Sequence, residues 1–129
     1  MTPEVRRRLD KADRLLAIAR RYDPFGDPDG VAHHAYYAML NAAVAVLLAH
    51  TGRAPKMHGT VVSEFGRLVR DIDDAARTHN RHFRRAQDLR LLADYDPDAE
   101  GLGPRAADAL ERAHVFVEFC RSMAVPSTT

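Results

Sequence analysis

Residues 31–51, VAHHAYYAMLNAAVAVLLAHT, decide the fold. Nothing in this stretch alternates with a period of two, whereas apolar residues recur at helical spacing. Ala35, Met39, Ala42, Val46 and Ala49 form one face, and Ala38, Val44 and Leu48 carry the apolar character round the other side. A helix apolar nearly all round needs partners on two sides. The width of this girdle points to a second copy of the chain, a homodimer. Its longest unbroken apolar run, Ala42–Ala49, falls well short of the roughly 20 residues that span a bilayer.

Helical spacing extends outward in both directions. Thr2-Pro3-Glu4 is a helix start, with threonine as cap and proline in the first turn. Val5, Leu9, Ala12, Leu16 and Ala19 then fall on one stripe of a helix over about residues 3–21. Tyr22–Gly30, with two Asp-Pro steps and two glycines, reads as a loop. Beyond Gly52, a short segment carries Val61, Phe65, Leu68 and Ile72 in register. Asp73 or Asp74 caps a helix over about 74–95, with Ala75, His79, His82, Ala86, Leu89 and Ala93 as its inner stripe. Gly103-Pro104 opens a last helix, striped by Ala106, Leu110, Ala113, Val117 and Cys120. The fold class is all-α, a bundle of four main helices plus a short one. Residues 1–125 form one domain, and 126–129 are expected to be a disordered tail.

Composition narrows the function classes. With 129 residues, 46% apolar and 29% charged, the chain should bury a core rather than stay disordered. A net charge of +1 does not mark the whole molecule as a polyanion binder. Its cations are 17 arginines against two lysines, Lys11 and Lys56, and guanidinium suits bidentate phosphate contacts better than ammonium does. Cys120 is alone, so no internal disulfide forms. Arg6-Arg7-Arg8 is followed by no apolar segment of a secretory signal. A cytoplasmic protein without cofactor or membrane association is the simplest expectation.

Few groups on the chain carry chemistry. Seven histidines invite a metal reading, but no His-Glu-x-x-His or Glu-x-x-His pattern occurs. His33 and His34 are adjacent and point to different sides, and His79 and His82 read as histidines at the edge of the core. Arg77, Arg81, Arg84 and Arg85 lie opposite the inner stripe of their helix. They form either a solvated face or a strip of phosphate contacts that positions RNA without reading its sequence. The end of the same helix, RLLADYDPDAE (Arg90–Glu100), is either a frayed terminus stopped by Pro97, with Asp96, Asp98 and Glu100 solvated, or a site.

Four landmarks in order settle the choice. Tyr36-Tyr37-Ala38-Met39, Lys56-Met57-His58-Gly59, Phe65-Gly66 and Arg90-Leu91-Leu92-Ala93-Asp94-Tyr95 resemble a compact branch of the HEPN superfamily, the nucleotide-binding domain shared by higher eukaryotes and prokaryotes. The resemblance covers about residues 5–122. It implies an up-down four-helix bundle, a homodimer, and pairing with a small nucleotidyltransferase in toxin–antitoxin-like modules. It also implies a metal-independent endoribonuclease site of the form Arg-x4-6-His at this helix end. There the arginine stabilises phosphate charge, the histidine moves the proton of the attacking 2′-hydroxyl, and two copies meet across the dimer cleft.

The chain departs from that pattern, because five residues beyond Arg90 stands Tyr95. Arg53 to His58 and Arg77 to His82 also fit the spacing, but this many arginines and histidines produce such matches by chance. A tyrosine with a pKa near 10 is a poor base at neutral pH, and an aspartate near 3.9 has little basicity left. His58, from the preceding turn, is the substitute. The site residues expected are therefore Arg90, Asp94, Tyr95 and His58 for catalysis. Arg77, Arg81, Arg84, Arg85, Lys56, Tyr36 and Tyr37 are expected to contact RNA or nucleotide, and Tyr95 to accept AMP from the partner. The alternatives are a non-catalytic, nucleotide-binding regulatory domain and a structural helical adaptor.

Overall fold

The structure is a computed structural model that describes residues 1–97 and 101–125. Asp98, Glu100 and the tail at 126–129 lie outside the described residues. The described residues form five helices and no strand: α1 (Pro3–Ala19), α2 (Pro28–Thr51), α3 (His58–Val69), α4 (Asp74–Tyr95) and α5 (Leu102–Ala124). This is the expected all-α bundle of four long helices and a short one.

Local chemistry sets the boundaries. Thr2 caps α1 by accepting from the Val5 amide, and Asp73 caps α4 by accepting from Ala76 at 2.8 Å. Asp27 caps α2 and Pro28 opens it, so this helix begins three residues before the apolar pattern does. Gly52 closes α2 at φ 74°, a left-handed conformation that disfavours any residue with a Cβ. Gly30 is needed for space rather than for φ. A Cβ there would lie 2.6 Å from the Tyr22 ring, which stacks on His34.

α2 is the axis of the molecule, packed against all four other helices. Fourteen of its residues are buried, including Ala38, Val44 and the polar Asn41. Its all-round apolar surface is thus covered within one chain, and the width of the girdle no longer calls for a second copy. Ala49, expected on the inner face, is exposed. By length and composition α2 would cross a bilayer, which the eight-residue run understates. Here 78% of its apolar window is buried inside the protein, as in a core helix.

The other stripes were met unequally. All five apolar positions of α1 are buried. In α4 the buried residues are Ala76, Phe83, Ala86 and Leu89, while Ala75 is exposed and His79, His82 and Ala93 are only partly covered. Phe83 sets this register: it meets Phe65, Phe116 and Tyr36 with centroids 5.0–6.1 Å apart, and burying so large a ring outweighs aligning small or polar residues. Ile72, expected in line with Phe65, lies past the end of α3 and is 48% exposed. In α5, Phe116 joins Ala106, Ala113, Val117 and Cys120 in the core, with Leu110 partly buried.

Candidate nucleic-acid site

Arg90 lies one turn before the end of α4 and turns back over α2. Its guanidinium carbon sits 5.2 Å from the Tyr36 ring centroid and 5.7 Å from that of Tyr37, both within cation–π range. Nη1 donates to Asp94 Oδ2 at 3.1 Å, the i,i+4 pair along α4. With its side chain 16% exposed, Arg90 is partly desolvated, and its Nε is buried without a hydrogen-bond partner.

Two histidines flank the tyrosine pair. His58, the first residue of α3, meets Tyr37 edge-on at 5.3 Å and Tyr36 at 5.9 Å. His33, one turn before Tyr37 on α2, lies against its ring at 4.7 Å. Burial and then the Arg90 charge push the His58 pKa below the usual histidine value. Burial and His34 lower that of His33, with Asp94 opposing and Arg90 adding to the fall. Both imidazoles are held neutral near pH 7, the form that accepts a proton.

Tyr36 is fully buried, stacked against Phe83 as well as under Arg90, so it supports the arginine and offers a ligand no surface. Its hydroxyl is buried beside Gln87, but no hydrogen bond of good geometry joins them. Burial raises the phenol pKa, against the opposing pull of Arg90. Tyr37 is only partly buried and lines a neighbouring cleft. Tyr95 ends α4 just before the extended Asp96, is 77% exposed, and makes no ring contact with the cluster among the described residues. The structure thus brings together Arg90, Asp94, Tyr36, Tyr37 and His58, and leaves Tyr95 at the rim.

The four basic residues earlier on α4 do not share one groove. Arg77, Arg81 and Arg84 line a cleft of about 390 Å³ between α3 and α4, joined there by Arg67 and Arg70. Arg85 instead faces a cleft of about 420 Å³ towards α5, with Arg105 and Arg112. Arg77 is held by Asp74 and by the Arg70 carbonyl, and Arg81 donates to Thr78. His79 stacks on Phe119 at 4.4 Å, a histidine at the edge of the core. Among the described residues no group of three or more His, Cys, Asp or Glu side chains is placed to hold a metal ion.

Two features escaped the sequence. His33 was set aside as one of an adjacent pair, although its position one turn before Tyr37 was a usable signal. Arg67, in the last turn of α3, and Arg70, just past its end, are three residues apart, but nothing in the sequence says which face of α3 meets α4.

These observations define a class: an all-helical domain that lays a long-helix arginine over an aromatic pair, with histidines from two other elements alongside. The family model of the HEPN domain matches residues 5–123, so the chain belongs to the HEPN domain family, whose members are generally nucleotide- and RNA-related. No curated protein matches it.

Proposed function

We propose that this protein is a HEPN-type RNA-binding domain that cleaves RNA at the Arg90 cluster, as one half of a toxin–antitoxin-like module with a nucleotidyltransferase partner. The observation that carries the reading is the convergence of the Arg90 guanidinium and two histidines around Tyr37.

In this reaction His58 takes the proton of a 2′-hydroxyl, and that oxygen bonds to the adjacent phosphorus. The bond from phosphorus to the 5′-oxygen breaks, the leaving oxygen takes up a proton from solvent water, and His58 returns its proton to solvent. The products are a 2′,3′-cyclic phosphate and a 5′-hydroxyl. Arg90 neutralises the charge gathering on the phosphoryl oxygens, and removing such a contact costs on the order of a hundredfold or more in rate. Asp94 fixes the guanidinium. The strand is positioned by phosphate contacts to Arg77, Arg81 and Arg84, which share one cleft, and two copies of the chain pair so that their clusters face one substrate. Tyr95, exposed at the rim, is the acceptor for AMP from the partner, and the added charge and bulk would occlude the cleft.

The test is cleavage of labelled RNA with and without EDTA. Activity indifferent to chelator, lost in Arg90→Ala and impaired in His58→Ala with melting unchanged, is the expected result. Activity that needs a metal, or survives Arg90→Ala, refutes the assignment. RNA bound but left intact assigns the chain to the non-catalytic, nucleotide-binding class. Mass spectrometry after incubation with the partner and ATP tests Tyr95, and full control of a Tyr95→Phe chain would end that part of the reading.

A further inference from the structure

The cleft of about 420 Å³ between α4 and α5 takes no part in RNA cleavage at the Arg90 cluster and shares no residue with it. Residue spacing builds it. His82, Arg85, Ala86 and Leu89 fall on one face of α4 at i, i+3, i+4 and i+7. Arg105, Asp108 and Arg112 fall on one face of α5 at i, i+3 and i+7. Where the two faces meet they form a groove about 10 Å long, seven residues of each helix. Ala86, Leu89 and Ala109 give it an aliphatic floor, and exposed arginines from both helices stand at its sides. Its charge is unbalanced, since three guanidiniums face one carboxylate, Asp108, which lies 3.4 Å from Arg112 Nε. Among the described residues Arg85 and Arg105 form no ion pair. Asp88 and Glu111, on the same helices, do not line the cleft. Burial, and then Arg112 and Arg85, hold the His82 pKa below the usual histidine value, so near pH 7 the imidazole adds little to the positive charge.

From this arrangement we infer that the cleft docks an acidic segment of a partner protein, in which carboxylates flank an aliphatic side chain. Arg85 and Arg105 each take a carboxylate, for which the planar guanidinium fork is suited. The aliphatic side chain lies on the floor between them, and Asp108 accepts from a peptide N–H. A nucleic-acid strand fits less well. Its phosphates would meet Asp108 with like charge and offer it no donor. The only aromatic ring lining the cleft among the described residues is the partly buried His82, so bases find no exposed stacking platform. The cleft of Arg77, Arg81 and Arg84 lies instead between α3 and α4. Helix α4 thus carries a basic cleft on each side, and an acidic partner in one leaves the other free for RNA.

The experiment is chemical-shift mapping by NMR on the full, isotope-labelled chain. The probes are the peptides acetyl-Glu-Glu-Leu-Glu-Glu-amide, its glutamine counterpart with every Glu replaced by Gln, and its serine counterpart with Leu replaced by Ser. A 2′-O-methyl oligoribonucleotide, which has no 2′-hydroxyl to attack and stays intact, is the competitor. The acidic leucine peptide should shift amides of residues 82–89 and 105–112, and both counterparts should bind at least about fivefold more weakly. Arg85→Gln and Arg105→Gln should each weaken the acidic peptide about fivefold, with melting temperatures unchanged. Arg6→Gln, on α1 and outside the cleft, should leave its affinity alone. The oligoribonucleotide should not displace it. No shift at millimolar peptide, a glutamine or serine counterpart that binds as well, or affinity untouched by both arginine changes overturns the inference. Displacement of the peptide by the oligoribonucleotide overturns it too and assigns the cleft to nucleic acid. Peptide binding is read without RNA cleavage, so the two readings fail separately.

Discussion

Tyr36→Phe should stabilise the protein. The Tyr36 ring is fully buried and stacked between Arg90 and Phe83, and its hydroxyl is buried without a hydrogen-bond partner. An unsatisfied buried hydroxyl costs about 1–3 kcal/mol. Phenylalanine keeps the ring contacts and most of the cation–π attraction, whose loss would be a fraction of the roughly 0.5–2 kcal/mol such pairs are worth. The net gain expected is about 1 kcal/mol. At about 2.1 cal/mol/K per residue of unfolding entropy, a chain of 129 residues melts about 4 °C higher for each kcal/mol. Urea and thermal melts of the two chains provide the assay. A loss of more than about 1 kcal/mol would show that the hydroxyl is satisfied in solution and that the reasoning is wrong.

Phe83→Ala should cost about 3–5 kcal/mol, because it empties the space between Phe65, Phe116 and Tyr36; a loss below about 1 kcal/mol would remove Phe83 as the element that sets the α4 register. Stability should also fall on mild acidification. Burial, as the largest cause, holds His33, His58, His79 and His82 below the usual histidine value in the folded chain. Below about pH 6.5 the unfolded chain takes up protons that the folded chain refuses, so their contribution is present at pH 7.5 and is lost as pH falls towards the depressed folded values. Urea midpoints that hold or rise from pH 7.5 to 5.5 would contradict this. Cys120, fully buried with its thiol pKa pushed well up, should react with a thiol reagent only at the rate of unfolding; rapid labelling of the native chain would count against a packed α2–α5 interface.

How much the sequence shows depends on how crowded each helix is with apolar residues. α1 offers one apolar choice per turn as far as Ala12, and the stripe begun there carries on through the apolar run at 15–19 to Leu16 and Ala19, so Val5, Leu9, Ala12, Leu16 and Ala19 were all legible. α4 is arginine-rich, and two overlapping stripes of small residues and histidines fit it equally well. Only the placement of Phe83 against two other aromatic rings, from α3 and α5, selects between them. α2 showed that it needed partners but not how many, since periodicity cannot tell a second chain from four helices of the same one. The cluster was legible in part. Arg90, Asp94, Tyr36, Tyr37 and His58 could be named only through a resemblance in the order of short motifs, not from periodicity. The Arg8–Asn41 hydrogen bond could not, because the two residues are far apart in the chain and meet only through the packing of α1 on α2.

The central position of α2 has a consequence for the life of the chain before it is folded. A segment that passes as a membrane span by length and apolarity is harmless only while four other helices cover it. During synthesis α1 is already made and can pair with α2 in a hairpin at once, but α5, which covers another face, is made last. Until then the nascent protein presents a bilayer-like surface to chaperones, lipids and other copies of itself. A chain cut before Leu102 is therefore expected in the pellet or membrane fraction, and its recovery as a freely soluble species would show that α1, α3 and α4 suffice.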